Sequence, residues 1–199
     1  AAYSAAGSGR TVLAQAPTGI GKALGALWPT LEAMAGGARH APLDKVFYLT
    51  AKSTGRALAL EALATLRRDG PPGVLRVVSL VARDKACEHP DRSCHGESCP
   101  LARGFWDRLP AARAQVVELG ANDPDALRRV ALQHTVCPYY LAQEMAHWCD
   151  VAVADYHYFY DSAAMLYALT VAQGWKVGVL VDEAHNPPDR ARRMYTADL

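Results

Sequence analysis

Ala16-Pro17-Thr18-Gly19-Ile20-Gly21-Lys22, read with Asp182-Glu183-Ala184-His185 about 160 residues further on, decides the fold of this 199-residue chain. The first stretch has the form A-x-x-x-x-G-K. Two glycines allow a tight turn whose backbone N–H groups converge on a phosphate, and a lysine follows to supply a full positive charge. The preceding Thr11-Val12-Leu13-Ala14-Gln15 reads as a short buried strand. The following Ala23 to Ala35, rich in Ala and Leu, reads as a helix closed by Gly36-Gly37, with Pro29 kinking it or ending it early. Strand, glycine loop and helix together place Ala16, Pro17, Thr18, Gly19, Ile20, Gly21, Lys22 and Ala23 around a nucleotide, with ATP the expected ligand. One position departs from the pattern. A Ser or Thr after the lysine would offer a hydroxyl to Mg²⁺, and Ala23 has none, so metal positioning and turnover are expected to be weakened.

The second stretch follows Val177-Gly178-Val179-Leu180-Val181, an apolar run of the kind found in parallel strands buried on both faces. Acidic residues at the C-terminal end of such a strand stand where open α/β sheets bind ligands. Asp182 is suited to holding Mg²⁺, mostly through water. Glu183 is suited to orienting and deprotonating an attacking water, and His185 to linking the site to other parts of the protein.

Between these segments strands and helices alternate. Val46 to Thr50 reads as a buried strand, and Arg56 to Arg68 as a helix with leucines at 58, 60, 63 and 66, stopped by Gly70-Pro71-Pro72-Gly73. Leu75 to Val81 is a third strand, and strand signals resume at Val151 to Ala154 and Lys176 to Val181. This order predicts an α/β fold, a parallel sheet with helices on both faces. Residues 82–147 interrupt it with prolines, amphipathic helix candidates and four cysteines. The expected domains are therefore 1–81, an insertion at 82–147, and a return to the first domain at 148–199.

The cysteines are spaced Cys87-x₆-Cys94-x₄-Cys99-x₃₇-Cys137, and the last two precede prolines. Four thiolates can hold a [4Fe–4S] cluster or a tetrahedral zinc, and spacing alone does not choose. The Cys-Pro pairs and the lack of a C-x₂-C knuckle favour iron–sulfur. His89, His95 and His134 lie nearby as alternative zinc ligands. Cys149, after Trp148, reads as an ordinary buried thiol. Clustered thiols also suit a reducing cytoplasm better than a disulfide framework. The net charge of +1 gives no global pull on nucleic acid, and residues 82–140 balance eight Lys/Arg against eight Asp/Glu. A nucleic-acid surface would have to be local. No apolar stretch reaches the roughly 20 residues of a membrane span, and Ala1-Ala2-Tyr3 does not begin a secretory leader.

Phosphate loop, cysteine insertion and D-E-A-H in this order resemble the XPD/DinG-type superfamily 2 DNA helicases, from about residue 11 onward. Ala16 to Lys22 is similar to motif I and Asp182 to His185 to motif II. Tyr48-Leu49-Thr50-Ala51-Lys52 is similar to motif Ia, which in the family touches the DNA backbone. Ser79 to Cys87 and Val136 to Tyr140 resemble the segments around the first and last cluster ligands. The resemblance implies a RecA-like P-loop NTPase domain interrupted by a small helical iron–sulfur domain. It also implies 5′→3′ movement on single-stranded DNA, driven by ATP, with the cluster domain separating a forked duplex. Thr50, Lys52, Arg83 and Lys85 are the candidate DNA-backbone contacts, a solvated polar group being the alternative for each, and Tyr156, Tyr158 and Phe159 are candidates to stack on bases, with core packing the alternative for two of the three. The family adds a second motor domain and a Gln-bearing segment that reads adenine. Neither is seen between Ala1 and Leu199, so the chain is expected to be a fragment of the first motor domain with little activity alone. The alternative is a non-motor nucleic-acid-binding module with a structural or redox-sensing cluster and nucleotide only as ligand. A zinc-stabilised ATPase of other purpose is a third reading.

Overall fold

The computed structural model describes residues 1–17, 19–36, 43–68, 75–122 and 124–194. In chain order the elements are α1 (Ala2–Ser8), α2 (Lys22–Ala35), β1 (Lys45–Leu49), α3 (Ser53–Arg68), β2 (Val77–Ser79), α4 (Arg83–Ala86), α5 (Phe105–Leu119), β3 (Ala121–Asn122), α6 (Pro124–Gln133), α7 (Pro138–Met145), β4 (Val151–Ala154), α8 (His157–Tyr160), α9 (Met165–Gln173), β5 (Val177–Val181) and α10 (Asn186–Met194). Two compact units divide them: Ala1–Ala62 with Ala154–Leu199, and Leu63–Val153. The second unit is wider than the insertion expected at 82–147, because it takes in β2 and most of β4. The fold class is α/β, and every described ladder is parallel.

In the first unit β1 pairs with β5 over five residues, Lys45 opposite Val177 through Leu49 opposite Val181. Val46, Phe47, Tyr48 and Leu49 are all buried, as the apolar run predicts. Lys45 is buried too, its ammonium 4.4 Å from the centre of the Trp175 ring, so a charged residue joins the strand by resting on an aromatic face. Helix α2 turns Leu27, Thr30 and Ala33 inward, one residue per turn. Gly178 leaves it room: a Cβ there would stand 2.9 Å from Leu43 Cδ1 and 3.1 Å from Thr30 Cγ2. Of the two outcomes expected at Pro29, a kink or an early end, the early end does not occur. The helix runs on to Ala35, and Thr30 Oγ1 donates to the Ala26 carbonyl at 2.8 Å in the turn that the proline interrupts.

Two further expectations need correction here. Residues 11–15 form no strand; Val12 is 47% exposed and Leu13 87%. So short a run becomes a strand only when a ladder partner takes up its N–H and C=O groups, and among the described residues it has none. β5 is half-buried along its whole length rather than buried. Its described ladder lies on the β1 side alone.

In the second unit β2 lies between β3 and β4, with Val77 opposite Ala121 on one side and Val151 on the other. Val77, Val78 and Val151–Val153 are buried, as are Val116, Val130, Leu141 and Met145 of α5, α6 and α7. Arg76 and Asp150 lock the entry to both strands. The guanidinium grips both carboxylate oxygens at 2.7 and 3.1 Å, and each residue's backbone N–H donates to its partner, 2.7 Å to the carboxylate and 2.8 Å to the Arg76 carbonyl. Helix α3 begins at Ser53, a turn before the expected Arg56. Gly37 and the expected stop at Gly70 to Gly73 lie outside the described residues, as does Thr18.

Candidate nucleotide site

The loop before α2 has the backbone its glycines predict. Gly19 and Gly21 take φ of +85° and +77°, a region that costs any residue with a Cβ about 1–2 kcal/mol. Gly21 caps α2, so the helix starts at Lys22 and its free N–H groups open towards the loop. Pro17, Gly19, Ile20 and Gly21 are exposed, while Ala16 and Ala23 are half-exposed.

The acidic segment comes to this loop. Lys22 Nζ lies 3.4 Å from Glu183 Oε1, across 160 residues of chain. Both side chains are about a third exposed, 37% and 33%, and a pair so accessible contributes about 1 kcal/mol or less. An arriving phosphate can therefore take Lys22 from Glu183 at little cost. His185 Nδ1 stands 3.5 Å from Glu183 Oε2 and is itself exposed. The four residues expected to carry chemistry are thus gathered at the C-terminal end of β5.

Asp182 is held from several directions. Its N–H donates to the Leu49 carbonyl at 2.9 Å, continuing the β1–β5 ladder by one bond. Thr50 Oγ1 donates to its Oδ2 at 3.4 Å. Gly55, at the start of α3, lets the helix approach: a Cβ there would lie 2.7 Å from Asp182 Oδ2 and closer still to Thr50 Oγ1. Tyr48 sits in the same neighbourhood; burial, followed by the charge of Asp182, pushes its phenol far above the ordinary tyrosine range. Burial and then Asp182 raise Tyr156 as well. Both phenols are therefore un-ionised near neutral pH.

Two residues expected to meet DNA are buried beside the acidic pair. Thr50 is 2% exposed and its hydroxyl faces Asp182. Tyr156 is 1% exposed, and its hydroxyl donates to the Asp182 carbonyl and lies 3.3 Å from that of Glu183. A ring so enclosed has no free face for a base. Phe159 likewise packs on Phe47 and Tyr167, with ring centres 5.8 and 5.7 Å apart. Lys52, Arg83 and Lys85 are exposed, the first in one unit and the others in the second.

In the second unit Cys137 caps α7 and is buried, and Cys87 and Cys99 are near enough for their charges to act on it. Burial is the largest influence and pushes its thiol up, while the Tyr140 and Tyr139 backbone N–H groups pull the other way. Exposed Cys94 bonds to the Tyr140 side chain and takes Arg83 Nη1 at 3.5 Å. Cys87 and Cys99 thus lie in the neighbourhood of Cys137, and Cys94 in that of Tyr140. Among the described residues no group of three or more His, Cys, Asp or Glu side chains is arranged to hold a metal ion, so the expected four-cysteine site is not displayed here. His134 contacts Gln115 at 2.6 Å and His95 contacts Ser98 at 3.1 Å, so these rings have other partners. Cys149 is a buried thiol with its sulfur 3.6 Å from the Ala146 carbonyl, as expected.

Residues 72–199 match the DEAD_2 family. A regulator of telomere elongation helicase 1 homolog from Culex quinquefasciatus is 26% identical over 132 residues, which cover 57% of this chain and 13% of the relative. The general transcription and DNA repair factor IIH helicase subunit XPD of Dictyostelium discoideum is 24% identical over 136 residues, or 67% of this chain and 16% of that one. Two solved structures, an XPD helicase and a truncated XPD, each superpose with a TM-score of 0.53 over 86% of this chain. Their identities are 19% and 21%, and the matches cover 28% and 47% of those chains. These likenesses establish the fold as RecA-like α/β. The chain spans 13–16% of the length of the curated relatives it matches.

Proposed function

The chain belongs to the DEAD_2 family, and we propose on that footing that it forms the nucleotide-binding part of an ATP-dependent DNA helicase. The observation that carries this is the 3.4 Å approach of Lys22 to Glu183 across the mouth of the glycine loop. Ala16 to Ala23 wrap the phosphates through backbone N–H groups, and Lys22 neutralises the terminal ones. Asp182 holds Mg²⁺ through water. With Ala23 lacking a hydroxyl, Thr50 does the work of keeping that carboxylate in place. Glu183 orients the attacking water, and His185 passes its state onward. A second motor domain completes the site and converts hydrolysis into 5′→3′ steps on single-stranded DNA. Lys52, Arg83 and Lys85 supply backbone contacts.

Cys87, Cys94, Cys99 and Cys137 are the ligands proposed for a [4Fe–4S] cluster. Bound there, the cluster supplies cross-links that stiffen a small helical domain, the quality a duplex-separating element needs. The cytoplasm is the compartment that keeps such thiols reduced.

The test of the motor reading is single-strand-stimulated ATP hydrolysis by the full-length protein, wild type against Glu183→Gln. Loss of about 10²-fold or more in turnover, with ATP binding kept, is the expected result for removal of a water-activating carboxylate. Turnover unchanged by E183Q would reject the assignment.

A further inference from the structure

The chain makes an unusual demand at Glu183. This residue has φ of +53°, a left-handed conformation that residues with a Cβ rarely adopt. In the proposed function its carboxylate must nevertheless point steadily at the nucleotide. Three donors are aimed at the backbone of this turn. The Tyr156 hydroxyl donates to the Asp182 carbonyl and reaches the Glu183 carbonyl at 3.3 Å. The Asn186 side-chain amide donates to the Glu183 carbonyl at 3.1 Å, and the Asn186 backbone N–H at 2.9 Å. Tyr156 is rigidly seated, 1% exposed at the end of β4, where the Ala154 carbonyl accepts the Thr50 N–H at 2.9 Å.

We propose that Tyr156, with Asn186 as its second arm, is a positioning residue that clamps the Asp182–Glu183 turn in its left-handed form and so aims both carboxylates at the metal-bound nucleotide. The role rests on the nucleotide reading above. It places Tyr156 inside the site by its hydroxyl, not on a DNA path by its ring. It also gives a purpose to the aromatic that follows β4 and to the asparagine just after D-E-A-H. Neither touches nucleotide, so losing the clamp alters the geometry of the acidic pair and leaves the phosphate loop intact.

The experiment is Tyr156→Phe in the full chain, which keeps the buried ring and deletes only the hydroxyl. Two readouts are taken. One is ATP affinity with and without Mg²⁺; the other is the NMR scalar couplings and carbon shifts of Glu183, which report its φ without any nucleotide. The metal-free affinity is expected to hold within about twofold. The gain in affinity on adding Mg²⁺ is expected to fall about tenfold, the size of one lost hydrogen bond, and Glu183 to leave the left-handed region. Unchanged Glu183 signals in Y156F overturn the clamp. Signals that move while the Mg²⁺ gain stays intact overturn its role in aiming the carboxylates. Should wild type bind no ATP, the nucleotide reading and the aiming role fail together, and the Glu183 signals still decide whether the clamp exists. Should Y156F not fold, Asn186→Ala removes one arm of the clamp at a half-exposed position, and the same two readouts decide.

Discussion

At Gly55 there is room for a hydrogen and nothing larger, because a methyl would stand 2.7 Å from the Asp182 carboxylate. Gly55→Ala is therefore expected to push α3 or Asp182 aside at about 1–3 kcal/mol, the usual range for overpacking. The melting temperature should drop by several degrees; an unchanged melting temperature would show that the site gives way freely. The contrast with Lys22 is instructive. Lys22, Asp182, Glu183 and His185 stand out in the sequence as candidates because their chemical types and spacing carry a signal, and the fold brings Lys22 and His185 to Glu183. Gly55, Thr50, Tyr156 and Asn186 act through contacts with residues that only folding brings near, 127 positions away for Gly55 and Asp182. No local pattern distinguishes such a glycine from a helix weakener, or such a tyrosine from a stacking one. Burial separates them, and it sets Thr50 and Tyr156 against Asp182.

Among elements, β1, β2, β4 and β5 were legible to within about two residues, because apolar β-branched runs between turn residues have few other homes. The strand expected at 11–15 was not, since a strand is a property of its ladder partner as much as of its own residues. Helix α2 shows the reverse: Pro29 is a strong stop signal, yet burial of Leu27, Thr30 and Ala33 carries the helix through it. One tie in the second unit is open to titration. The Arg128 guanidinium bonds to both oxygens of Glu88, next to Cys87, and holds that carboxyl below its ordinary value of 4.5. A carboxyl depressed in the folded state stabilises above its unfolded value and ceases to do so as pH falls through the folded one. The difference in melting temperature between wild type and Arg128→Ala should thus be full at neutral pH and shrink on acidification below about 4.5. A difference that persists unchanged into acid would contradict the role given to this pair.

For the whole molecule, the α/β class was readable from the alternation of strand and helix signals. The partition into units was only partly so. The cysteine segment is tied by its helices to β2 and β3, and the compact unit starts at Leu63 and ends at Val153. Composition changes mark where the chain becomes irregular; contacts mark where it becomes a unit. No described helix is long and apolar enough to cross a membrane. What the fold achieves is a convergence: a lysine near one end and two acids near the other arrive at one strand end. The most direct measurement of that claim is titration of the chain with Mg²⁺·ATP, wild type against Lys22→Ala. The account predicts saturable binding by wild type and affinity at least about tenfold weaker in K22A, since hydrogen bonds to charged groups contribute about 1.5–3 kcal/mol. Equal affinity in the two proteins, or no binding by wild type, would contradict it.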